Sequence, residues 1–165
     1  LIAFFTTLPA ADIWTLSVAD QKATPFLATP FQEGSPQFSP DGRWLAYGST
    51  ESGTPEVFVQ TFPASGGKWQ ISTAGGFYPR WRRDGKELYY VAPDGELMAV
   101  EVAPGSGFAA GKPKPLFRTR IKVFDIGFQY DVSPDGSRFL INTLDENAAT
   151  SSITVVQNWT AELRK

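Results

Sequence analysis

Short runs of apolar and aromatic residues, many with alternating character, are separated along this chain by clusters of turn-forming residues. Three of the runs, "RWLAYGS" (43–49), "KELYYVA" (86–92) and "SRFLINT" (137–143), each directly follow a tight turn. A second set follows them: "EVFVQTF" (56–62), "ELMAVEV" (96–102) and "SITVVQN" (152–158). A short run precedes each turn: "SPQFS" (35–39), "YPRWR" (78–82) and "FQYDVS" (128–133). A fourth type comprises "TPFLAT" (24–29), "KWQIST" (68–73) and "PKPLFRT" (113–119). Runs this short, rich in Val, Ile, Phe, Tyr and Trp, predict β-strands. Apart from a turn in "NWTAELRK" (158–165), no stretch carries a strong helical period. The predicted fold class is therefore all-β.

The runs repeat as a unit. The turns "FSPDG" (38–42), "WRRDG" (81–85) and "VSPDG" (132–136) recur at intervals of about 43 and 51 residues. Four antiparallel strands per unit at this period predict a β-propeller blade. Sliding the chain on itself lays "LIAFFTT…DIWTLSV" over "LAYGST…EVFVQTF", matching Asp12 to Glu56 and Trp14 to Phe58. The N-terminus thus reads as opening inside a blade. The expectation is one partial propeller domain over 1–165, with four blades at about 1–29, 35–73, 78–119 and 128–158. The first blade lacks its inner strand and the last its outer one.

The turn residues have a physical reason. Pro presets φ for an early turn position, Asp can accept backbone N–H groups, and Gly tolerates positive φ. Asp41 and Gly42, Asp84 and Gly85, and Asp135 and Gly136 are therefore read as structural turns. A calcium loop would need several oxygen ligands at short spacing, and Asp41 has no second acid before Glu51. No metal site and no cofactor is expected.

The repeat "FSPDGRWLAYGS…EVFVQTF" resembles the TolB-like, WD-repeat-like propeller repeat of bacteria, over nearly the whole chain. Two turns keep Ser-Pro-Asp-Gly, whereas Arg82-Arg83-Asp84-Gly85 keeps only its second half. The ending "ITVVQNWTAELRK" is similar to the C-terminus of propellers appended to bacterial serine/threonine kinases and related sensors. Such propellers usually have six or more blades. The resemblance implies the C-terminal part of a larger bacterial protein in an extracytoplasmic, periplasmic setting.

Composition narrows the chemistry. The 165 residues are 42% hydrophobic and 14% aromatic, enough for a sizeable core, and 15 Gly with 13 Pro fit many turns. Fifteen basic against 17 acidic residues exert no general pull on nucleic acid or anionic membrane. With neither Cys nor His, disulfides, His- or Cys-based zinc sites and Ser-His-Asp or Cys-His catalysis are excluded within the chain. No apolar run is long enough for a membrane-spanning helix. The N-terminal "LIAFFTTLPA" has neither an initiator Met nor a basic leader region, and reads as part of a longer chain.

Several motifs look chemical and have blander readings. "PGSGFAAGKPKP" (104–115) places Ser106 and Pro113 where a phosphate loop needs Gly and Ser or Thr, so it reads as an exposed inter-strand loop. Asp125, Asp131, Asp145 and Glu146 could supply acid–base groups, but sequence cannot show the separation a hydrolytic pair requires. The basic clusters around Arg80–Lys86 and Lys112–Lys122 read as strand faces rather than a nucleic-acid surface. The Trp residues read as blade packing.

The favoured binding surface follows from topology. In a propeller, links from one blade's outer strand to the next blade's inner strand gather at the channel mouth. Those links carry Phe31, Glu33, Phe77, Tyr78, Arg80, Phe124, Asp125, Phe128, Gln129 and Tyr130. The functional expectation is a non-catalytic module that binds a protein or peptide partner, or a small ligand in the channel. The alternative is a small hydrolase using carboxylates or Ser/Lys, or the propeller that gates a peptidase. Open blade edges also predict a homo-oligomer.

Overall fold

A computed structural model describes residues 1–7, 11–103, 105, 107–123, 127 and 129–143. Among them, strands form four antiparallel sheets and there is no helix. The first sheet is β1 (Ile2–Phe5), β2 (Ile13–Leu16) and β3 (Ala23–Leu27). The second is β4 (Glu33–Phe38), β5 (Trp44–Ser49), β6 (Glu56–Thr61) and β7 (Lys68–Gln70). The third is β8 (Phe77–Trp81), β9 (Glu87–Val91), β10 (Glu96–Glu101) and β11 (Lys114–Arg118). The fourth pairs β12 (Tyr130–Val132) with β13 (Phe139–Ile141). Within each sheet, strands lie side by side in chain order, as in propeller blades. The run at 152–158 lies outside the described residues, as do Asp145 and Glu146.

The central strands of the second and third sheets are apolar on both faces because each of these sheets packs against two neighbours. Leu45, Tyr47 and Phe58 face the first sheet, where they meet Ile13, Phe5 and Leu27. Trp44, Ala46, Val57 and Val59 point the other way, against Trp81, Leu88, Tyr90 and Val100. Tyr89, Val91 and Leu97 then face Tyr130 and the fourth sheet. The period of two thus deals successive side chains alternately into two separate cores. Tyr47 and Phe58 are directly opposed across β5 and β6, with ring centroids 6.0 Å apart. Such a cross-strand aromatic pair contributes roughly 0.2–1 kcal/mol.

In the loop after β10, the described residues at 103–112 are exposed, as expected, with Phe108 as the exception. Phe108 is buried, with its ring against Trp44, Trp69 and Trp81. Gly105 O accepts Arg43 Nη1 at 2.8 Å, and Val102 bridges Ala110. Burying one large ring among three indoles outweighs keeping a polar loop in water.

The inner strands carry a repeated irregularity. Pairing of β4 with β5 slips between Gly34 and Gln37, and that of β8 with β9 between Phe77 and Arg80. In each slip the residue before a proline has positive φ: Ser35 at 52° and Tyr78 at 55°. Left-handed non-glycine residues cost of order 1–3 kcal/mol each, and bulges re-aim the side chains around them. Both bulges lie on strands that pack against each other.

Candidate functional site

The Asp-Gly turns share one construction. Asp41 Oδ1 accepts the Ser39 hydroxyl at 2.7 Å and Arg43 N at 3.1 Å. Asp135 repeats this with Ser133 at 2.6 Å and Ser137 N at 3.1 Å. At Asp84, where serine is replaced, the Arg82 guanidinium takes over, with Nε donating to Oδ1 at 2.7 Å and Nη2 to Oδ2 at 2.9 Å. Gly42, Gly85 and Gly136 have φ of 72°, 73° and 74°. Burial works against Asp41, but hydrogen bonds from Ser39 and Arg43 hold its carboxyl below the usual range. Arg82 does the same for Asp84, and Ser133 with Ser137 for Asp135. These carboxylates stabilise the fold at pH values above the ordinary aspartate pKa, and that support is lost as pH falls through their lowered values. Asp94 and Gly95 form a further turn of this kind between β9 and β10, with Glu96 N donating to Asp94 Oδ1 at 3.1 Å.

The blade-to-blade links behave differently. A cleft of about 270 Å³ opens where the first three sheets meet, lined by Phe5, Glu33, Gly34, Gly48, Phe77 and Tyr78, among others. Gly127, from the third link, reaches the same cleft. Of the residues expected at the channel mouth, the structure thus brings together Glu33, Phe77 and Tyr78. Phe31 is exposed and lies outside the cleft. Arg80, Gln129 and Tyr130 are buried away from it, Tyr130 within the core between the third and fourth sheets. Burial lowers the pKa of Arg80, while Tyr130 and Asp131 act in the opposite direction. Phe124, Asp125 and Phe128 lie outside the described residues.

Glu33 is the unusual member. It is only 2% exposed, yet it lines the cleft. Its backbone N donates to Ala11 O at 2.7 Å, which ties the link to the first sheet. The Thr29 hydroxyl donates to Oε1. Oε2 has no hydrogen-bond partner among the described residues, and neither has Asp12 Oδ1. Burial raises the Glu33 pKa; the Thr29 hydrogen bond opposes this, and the charges of Asp12 and Glu51 add to the rise. A buried acceptor left unpaired costs about 1–3 kcal/mol, more when charged.

The sequence singled out Glu33 and its link, but not Asp12, Thr29, Phe5 or Gly48. The match of Asp12 to Glu56 along the repeat was the available signal, because it puts acidic residues at the start of equivalent strands. Among the described residues, no group of three or more His, Cys, Asp or Glu side chains is arranged to hold a metal ion.

No family model matches the chain, and no curated protein matches it. Solved structures do. A putative TolB from Agrobacterium tumefaciens superposes with a TM-score of 0.54 at 19% identity, covering 66% of this chain and 41% of that one. TolB from Acinetobacter baumannii gives a TM-score of 0.54 at 16% identity, covering 84% of this chain and 46% of the other. The chain spans less than half the length of either structure. At such identities the likeness is one of fold, and it agrees with the sheet order and the repeated turn: the chain folds as a TolB-like β-propeller portion.

Proposed function

We propose that this chain is a non-catalytic propeller module that receives a protein or peptide partner in the cleft between its first three sheets. The observation that carries this reading is the convergence of Glu33, Phe77 and Tyr78 from separate links on one aromatic-walled opening. A few aromatic anchors around a polar group suit recognition of a partner side chain. In this reading residues 1–165 form one partial propeller domain with blades at about 1–29, 35–73, 78–119 and 128–158. The resemblance of its repeat to TolB-like propellers supports an extracytoplasmic role within a larger bacterial protein.

The test is selection of peptides from a random displayed library against the immobilised chain, followed by hydrogen-exchange mapping of those selected. Protection is expected at 30–35, 48–50 and 74–80. Failure to select any peptide, or protection confined to the outer strands β7 and β11, overturns the reading. Hydrolysis of a panel substrate that one Asp or Glu to Ala change abolishes would favour an enzyme instead.

A further inference from the structure

Two carboxyl groups in one corner of the molecule, those of Glu33 and Asp12, each keep a buried oxygen unpaired among the described residues. Glu33 Oε2 and Asp12 Oδ1 have no partner among the described residues, and Asp12 presses its charge on Glu33. Glu33 lines a cleft to which Phe5, Phe77 and Tyr78 also contribute, with the Phe5 ring beside Gly34. Glycines at 34, 48 and 76 also line it, and at Gly34 the missing side chain leaves the Phe5 ring as the nearest neighbour. Protein interiors rarely leave such acceptors empty, and of the two residues Glu33 lines the cleft.

We infer that the cleft is a subsite for a guanidinium group, the arginine side chain of a peptide partner, held by Glu33 and flanked by the Phe5 ring. A guanidinium offers five donors in a planar fork, so it can satisfy a half-paired carboxylate while its face stacks on a ring. It is also less strongly hydrated than an ammonium, so it sheds water more readily in a confined site. The charge balance agrees. Asp12, Tyr47, Glu51 and Lys68 are the titratable groups acting on or near Glu33, and Lys68 is already paired with Glu51. A positive group entering the cleft therefore meets an excess of acid. The inference rests on the peptide-binding reading and adds the chemistry of one anchor.

Titration of the ¹⁵N-labelled chain with Nα-acetyl-arginine amide, followed by NMR, tests it. Saturable shifts are expected at the amides of Gly34, Ser49 and Gly76, which line the cleft. The citrulline amide, isosteric and neutral, should bind about tenfold more weakly, and so should the lysine amide. Glu33→Gln should lose the response while keeping the Thr29 contact. Gly34→Val tests the same space without touching charge, because a Cβ there meets only the Phe5 ring, at 3.7 Å. It too should abolish the shifts, with an unchanged near-UV spectrum showing that the fold is intact. Equal binding of citrulline or lysine amide, a response that survives Glu33→Gln, or shifts centred elsewhere would each overturn the proposal. Displayed peptides that bind this cleft without arginine would sink the guanidinium subsite and leave the peptide-binding reading standing.

Discussion

Glu56 and Glu33 lie close to the same end of the second sheet, and both are buried, yet they are in opposite states. Glu56 accepts Gly75 N at 2.9 Å on Oε1 and the Ser72 hydroxyl on Oε2. Ser72 Oγ in turn accepts Val57 N at 2.8 Å, so the carboxylate closes a complete network across two strands and a link. Among the described residues, Glu33 has one donor, from Thr29, and an unpaired second oxygen. Along the repeat, Ala28 stands where Ser72 stands one unit later. Asp12, the counterpart of Glu56, therefore lacks that hydroxyl, and Thr29 one position on serves Glu33 instead. Gly76 is the counterpart of Glu33, and a Cβ there would lie 2.5 Å from Ser72 Oγ. One corner closes its hydrogen-bond network, and the other leaves an acceptor unpaired among the described residues. Threonine is kept at both 29 and 73, so the absence of one hydroxyl at Ala28 separates the two units here.

The contrast breaks first at Glu56. Glu56→Ala leaves the Ser72 hydroxyl and Gly75 N without their buried acceptor and should destabilise the fold by about 3 kcal/mol. Urea unfolding measures this, and a loss below about 1 kcal/mol would mean that the network is not an anchor.

Glycines give the next largest effect. Gly76→Ala forces its methyl group into Ser72 and against Val57 Cγ2, 3.0 Å away. Overpacking of this kind costs about 2 kcal/mol. Gly34→Ala, whose nearest neighbour is the Phe5 ring at 3.7 Å, should stay within about 0.5 kcal/mol of the parent. Paired thermal melts compare the two, and equal losses would remove the steric distinction between the corners.

The smallest effect sharpens the contrast through its sign. Glu33 has a pKa raised above the ordinary value, chiefly by burial. Its contribution to stability is therefore fully present below the unfolded-state pKa and is lost as pH rises through the folded one. Glu33→Gln should stabilise the chain by about 1 kcal/mol near neutral pH, because it removes an unpaired charge beside Asp12. The gain should vanish in acid, below the ordinary glutamate pKa. Unfolding curves collected across that window check both limbs, and a variant less stable than the parent at neutral pH would contradict the picture.

Much of this molecule is legible from residue order. Strands β5, β6, β9 and β10 follow from short apolar runs bounded by turn residues, and the Asp-Gly turns follow from the backbone needs of the link. Phe108 was not legible, because a lone aromatic in a Gly-rich loop carries no period. Nor was the burial of Arg80 and Tyr130, which the sequence assigns to links at the channel mouth but which lie on β8 and β12. The bulges at Ser35 and Tyr78 decide which way those links turn, and positive φ at a residue before proline has no signature in composition.

The amino-acid order by itself determined the all-β class, the repeat and the turn chemistry, because these depend on neighbours within a few positions. Only the tertiary structure decided which carboxylates are satisfied. Glu56 and its donors are 16 and 19 residues apart, and Glu33 meets Asp12 only where two sheets pack. Hydrogen-bond partnership across that separation depends on distances of a few tenths of an ångström, which no local pattern encodes.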